Sequence, residues 1–170
     1  NLQRHYLLSV YLGKGDSVEL CLDASPWGLG GVLTVNGSIT AWFSDVLQPA
    51  GIEVLGIQVG SCTCQQIVEA LAVLVALRLW SARWLTAGAM LRVKGDNVSA
   101  LVLVISLKTK GRAMNIIARE AALDIAAACY APLVATHIPG VTNVACDGLS
   151  RRHMPGGGLK YPLHPLLASV

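Results

Sequence analysis

The sequence predicts an α/β fold: a five-stranded mixed sheet, three antiparallel strands followed by two parallel ones, flanked by helices. Three features of the 170-residue chain point there. Asn36-Gly37, the strongest short hairpin signal, sits between two short strand-like runs. Gln65 to Arg83 is rich in Leu, Ala, Val and Arg with no internal Gly or Pro, as expected of a long buried helix. Beyond it, strand-like and helix-like segments alternate, the pattern of parallel strands joined by crossovers.

In chain order, Val18 to Asp23 is read as a central strand, with Pro26, Gly28, Gly30 and Gly31 as the turn after it. Gly31 to Val35 and Ile39 to Phe43 complete an antiparallel meander around Asn36-Gly37. Asp45 to Cys64 contains Pro49, Gly51, Gly56 and Gly60 without a clear period; it reads as a long connection with room for one short element. The long helix of 65–83 comes next, then a strand over Met90 to Lys94, and Asn97 is placed to cap a helix through Leu107. Lys108 to Gly111 is a basic turn, Ala113 to Tyr130 a second long helix ended by Pro132, and Leu133 to Ile138 the last strand. Pro139-Gly140 turns the chain into a short helix over Thr142 to Ser150. Three regions follow: residues 1–17 as the end of a preceding connection, 18–152 as the domain, and 153–170, with its Pro/Gly-rich run, as a tail or linker.

Composition narrows the class. With 54% hydrophobic and 14% charged residues, a membrane protein has to be considered first. Glu69 and Arg78 interrupt the Ile67 to Trp80 run, and Pro132, His137, Pro139 and Asn143 break up the uncharged stretch from Ile125 to Cys146, so these read as buried elements and no membrane is expected. A net charge of +3 is too small to require a nucleic-acid partner, although Lys108, Lys110, Arg112 and Arg119 fall close enough together to touch phosphates. Five cysteines, with only Cys62 and Cys64 closely spaced, suit a reduced, intracellular protein without a zinc site.

Only ten residues are acidic, and four of them lie in apolar settings at informative places. Asp23 ends the first strand, Glu69 opens the long helix, Asp96 follows the fourth strand and Asp147 sits in the last helix. Buried carboxylates need a counter-charge, hydrogen bonds or a cation, and basic neighbours are scarce in the sequence around them. Taken singly, each reads as a helix cap or an isolated ion pair. Taken together at strand ends, they make an all-oxygen ligand set for two hard cations, Mg2+ or alternatively Mn2+, as in two-metal displacement at phosphorus.

The residues also carry a resemblance. Asp23-Ala24-Ser25 with Trp27-Gly28-Leu29-Gly30-Gly31, Glu69-Ala70-Leu71-Ala72 through Trp80, Gly95-Asp96-Asn97, and His137-Ile138-Pro139-Gly140 through Asn143 to Asp147-Gly148-Leu149-Ser150-Arg151 occur in that order. From about Val18 to Arg152 the chain resembles the ribonuclease H domains of reverse transcriptases, most closely those of retrotransposons of the DIRS and related types. The resemblance implies a ribonuclease H-like fold and endonucleolytic cleavage of the RNA strand of an RNA/DNA hybrid by two-metal-ion catalysis. It implies a partner polymerase domain in the same polyprotein, and Asp23, Glu69, Asp96 and Asp147 as the metal-binding acids. His137, ten positions before Asp147, matches the histidine that assists product release or proton transfer, and Asn143 the asparagine that organises its loop. Ala24, Ser25, Gly28 and Asn97 are then placed to meet the hybrid, where the ribose 2′-hydroxyl distinguishes RNA from DNA. Lys108, Lys110 and Arg112 are the candidates for its phosphates. Trp27 reads more readily as a core residue than as a stacking platform.

Two features depart from the family pattern. Gly148 stands where alanine is usual, at a cost of about 1 kcal/mol to a helix. The 51 positions from Asp96 to Asp147 leave no room for the basic protrusion of some members. The competing readings are a catalytically degenerate module that only binds nucleic acid or supports a reverse transcriptase, and an integrase or resolvase on the same fold.

Overall fold

The computed structural model describes residues 16–83, 90–97, 106, 110–127, 134–139 and 143–170. Its centre is a five-stranded sheet in the order β3-β2-β1-β4-β5, formed by β1 (Ser17–Ser25), β2 (Gly28–Val35), β3 (Ser38–Val46), β4 (Met90–Gly95) and β5 (Val134–His137). β1, β2 and β3 pair antiparallel, while β4 joins β1 and β5 joins β4 in parallel, as the sequence predicts. The β2–β3 hairpin turns through Asn36 and Gly37, both at positive φ (51° and 84°), the combination that matches strand twist. Asn36 adds a tie of its own: its side-chain oxygen accepts from the Ser17 amide at 3.0 Å.

Strand alternation decides which element each side of β1 meets. Val18, Leu20, Leu22 and Ala24 enter the main core with Val68, Ala72, Ala76 and Leu77 of α2 (Gln65–Leu79). Cys21, Asp23 and Ser25 instead bond to α4 (Val144–Arg151) or to the residue before it. α2 lies between the sheet and α3 (Arg112–Ala127), and its alanines at 70, 72 and 76 let it sit close. Arg78 of α2 reaches Asp124 and Glu120 of α3, each at 2.7 Å, and these contacts hold its guanidinium firmly protonated. Cys62–Leu79 is long and apolar enough to cross a membrane by length and composition, but in this fold it is the central core helix.

The connection after β3 contains the one short element for which the sequence leaves room, α1 (Pro49–Leu55), started by a proline in its first turn and stopped by Gly56 in the left-handed region. Other boundaries differ from the sequence reading. α2 ends at Leu79 rather than Arg83, where Trp80 turns inward against Phe43 and a 3-10 turn over Ser81–Arg83 follows. Gly28, Gly30 and Gly31 are not a turn but the first half of β2. The helix expected from Asn97 to Leu107 and the end of the one expected to reach Tyr130 fall largely outside the described residues.

The segment 153–170, expected as a tail or linker, packs onto the domain. It forms α5 (Gly157–Lys160) and a 3-10 turn at Pro165–Leu167. Leu167, 1% exposed, joins Val32, Cys146 and Leu149 in a second small core, and its carbonyl accepts from the Trp42 indole at 3.0 Å. Prolines and glycines here shape tight turns around one buried anchor.

Candidate metal centre

Parallel pairing of β1 and β4 brings two of the four acids together where these interior strands end. Cys21 lies opposite Lys94 in the register, so two residues further along each strand Asp23 comes level with Asp96. Glu69 reaches the same place from the second turn of α2. Carboxylate oxygens of Asp23, Glu69 and Asp96 all lie within 4.8 Å of one another. Asp23 and Glu69 are each 5% exposed, and Asp96 is half-buried.

Such a cluster is electrostatically expensive. Burial raises the Asp23 carboxyl to about 7, helped by the charges of Asp147 and Asp96 and opposed by a hydrogen bond from Ser150. Burial raises Glu69 to about 8, with Asp23 and Asp96 adding to the effect and the Gln65 amide opposing it. Gln65 sits one turn before Glu69 and its side-chain nitrogen donates to Glu69 Oε1 at 2.8 Å and to the Ala24 carbonyl at 2.6 Å. It therefore fixes both the glutamate and the backbone beside Asp23.

The fourth acid stands apart from this group of three. Asp147 accepts from Arg151 Nε at 2.5 Å, one turn on in α4, although its charge is felt at Asp23. Basic residues are scarce in the sequence around the four acids, and Arg151 is one that finds a partner here. α4 reaches this position because β2 presents glycine to it. A Cβ on Gly30 would stand 2.6 Å from the Cys146 carbonyl and 2.7 Å from Leu149 Cβ, so only a glycine lets the helix lie so close.

The other expected site residues divide by what their side chains touch. His137 is exposed at the end of β5, paired with Gly95 and thus beside Asp96 in the sheet. Asn97, half-buried, adjoins Asp96 in sequence. Lys110 and Arg112 are exposed at the start of α3, and Lys108 lies outside the described residues. Asn143 is 2% exposed and committed to β1, donating to the Leu22 carbonyl at 2.9 Å and accepting from the Cys21 thiol at 3.1 Å. Ser25 is also turned inward: its oxygen accepts from the amides of Trp27 and Gly28 and its proton goes to the Ser150 carbonyl at 2.8 Å. Gly28 packs against Asp45, Ser150 and His153, and Ala24 offers its carbonyl to Gln65. Trp27 is half-buried against Gly60, away from the main core.

Gln65, Ser150 and Arg151 are the site residues that the sequence reading missed. The spacing of four that links Gln65 to Glu69 and Asp147 to Arg151 along helices was the available signal.

No protein-family model and no curated protein matches the sequence. Solved structures do match in fold. A type 1 ribonuclease H from the halophilic archaeon Halobacterium salinarum aligns over 81% of this chain and 97% of its own, at 18% identity and a TM-score of 0.62. A compost-metagenome ribonuclease H, solved in complex with an RNA/DNA hybrid, aligns over 78% and 93%, at 18% identity and 0.62. The N-terminal ribonuclease H domain of a Mycobacterium tuberculosis protein covers 81% and 100%, at 12% identity and 0.59. The chain has the ribonuclease H-like fold.

Proposed function

We propose that the chain is a ribonuclease H: it hydrolyses the RNA strand of an RNA/DNA hybrid with divalent cations, Mg2+ by preference, within a DIRS-like retroelement reverse transcriptase. The observation that carries this reading is the gathering of Asp23, Glu69 and Asp96 at the ends of the interior strands β1 and β4. Two of these are nearly dry carboxylates whose neighbours in the cluster are further acids, and their donor set is all oxygen, which fits a hard divalent cation. Asp23, Glu69 and Asp96 would hold the first ion, with Asp147 completing a second position on release from Arg151. Bound there, such ions acidify a water and neutralise charge at the scissile phosphorus.

The protein's own groups do the rest. Gln65 orients Glu69, so the carboxylates need little rearrangement during the reaction. A hybrid laid across these strand ends meets the backbone of the β1–β2 turn and Asn97, near the 2′-hydroxyls of its RNA strand. Lys110 and Arg112 engage its phosphates without reading sequence. His137, beside Asp96 at the rim, offers a ring nitrogen to carry a proton to the leaving oxygen. The likeness in fold to a ribonuclease H solved with a hybrid supports this placement.

Incubating the chain with Mg2+ and labelled hybrid, duplex DNA or duplex RNA tests the proposal. Cleavage restricted to the RNA of the hybrid and abolished by Asp96→Asn is expected; equal cutting of duplex DNA contradicts it. The Asp147–Arg151 pair favours a second reading, a degenerate module that binds hybrid without cutting it. Hybrid binding without cleavage at saturating Mg2+ and Mn2+ would select that reading.

A further inference from the structure

Ser25 and Ser150 are both almost completely buried, at 2% and 0% exposure, and they bond to one another's elements in opposite directions. Ser25, at the end of β1, donates to the backbone carbonyl of Ser150 at 2.8 Å. Ser150, in α4, donates to Oδ2 of Asp23, two residues back along β1, at 2.5 Å. We infer that this reciprocal clasp makes Ser150 a positioning residue for cation binding, holding the Asp23 carboxylate so that it faces Glu69 and Asp96.

The alternative is that Ser150 merely satisfies its own helix, since its hydroxyl also lies 3.1 Å from the Asp147 carbonyl, three residues back. A hydroxyl has one proton to give, and a short bond to a carboxylate is the stronger of the two. The backbone half of the clasp has no helical explanation at all. The Ser150 carbonyl is within the last turn of α4, where it lacks an intrahelical donor, and Ser25 supplies one from another element. Ser25 is fixed in turn by accepting the amides of Trp27 and Gly28, at 3.3 and 3.2 Å. The turn after β1, the strand and the helix thus converge on one carboxylate, and α4 contributes to the centre through Ser150 as well as through Asp147.

This inference rests on the metal-centre reading above, and the test separates the two. Mn2+ is titrated calorimetrically into the whole chain without nucleic acid, for the unmodified protein, Ser150→Ala and Ser25→Ala, with circular dichroism as a check on folding. Ser150→Ala is expected to weaken Mn2+ binding roughly ten- to hundred-fold, the range typical when a group orienting a metal ligand is removed. Ser25→Ala, which keeps the hydroxyl on Asp23 but loosens the carbonyl beneath it, is expected to weaken binding less than Ser150→Ala does. In hybrid cleavage by Ser150→Ala, the Mn2+ concentration for half-maximal rate should rise by the same factor as in calorimetry, and saturating Mn2+ should restore the rate. A purely structural serine would lower the active fraction without moving that midpoint. Unchanged affinity in Ser150→Ala overturns the clasp while the metal centre stands; should that variant not fold, unchanged affinity in Ser25→Ala does the same. Absence of Mn2+ binding by the unmodified chain overturns the metal centre itself.

Discussion

At the scale of single residues, the candidate centre holds a pair of buried carboxyl groups, Asp23 and Glu69, whose charged forms burial disfavours. Their raised pKa values set the sign of the pH response. A carboxyl whose folded value exceeds its unfolded one stabilises the fold below the unfolded value and loses that contribution as pH rises to the folded value. For Asp23 and Glu69 the window runs from about 4 to about 7 and 8. Thermal melts in chelator should therefore show stability falling across that range, by as much as roughly 4 kcal/mol per group. Asp23→Asn should flatten the fall and make the chelated protein more stable at pH 8 while destroying cation binding. A chelated protein whose stability rises over that interval would contradict the assignment. The acids were legible in the sequence because a carboxylate among Leu, Ala and Val is conspicuous. Ser150 was not, because an uncharged hydroxyl in a helix carries no such signal and its partner Asp23 lies 127 positions away; for Gln65 the spacing of four to Glu69 was the one clue, and its second bond, to Ala24, spans 41 positions.

Between residue and molecule stand the elements that deliver these side chains. The strands and long helices followed from periodicity and from Asn36-Gly37, and the parallel β1–β4 pair then placed Asp23 beside Asp96. Glycine is conformationally free, so the glycines after Asp23 predict a turn. In the structure, Gly30 lies within β2 because of what packs on it, Cys146, Leu149 and Ser150, which are remote in sequence rather than its own neighbours. Gly30→Ala should lift α4 off the sheet and cost about 1–3 kcal/mol in denaturant melts. It should also weaken Mn2+ binding, whereas Gly37→Ala, with nothing near its Cβ but a positive φ, should cost stability alone.

For the molecule as a whole, the C-terminal segment departs most from expectation. Its Pro/Gly-rich sequence reads as a linker, since composition reports the turns but not the buried Leu167 that anchors them. Leu167 closes the small core beneath Cys146 and Leu149, so the far end of the chain supports the helix that carries Asp147. Leu167→Ala should cost about 2–4 kcal/mol in a denaturant melt, and an unchanged midpoint would show the segment to be a mere appendage. If acids remote in sequence share one divalent-cation site, crystals soaked in Mn2+ will reveal it through the anomalous signal of the metal. A peak coordinated by Asp23, Glu69 and Asp96 is expected; no peak there, with Mn2+ bound only at surface acids such as Asp45, would rule the shared site out.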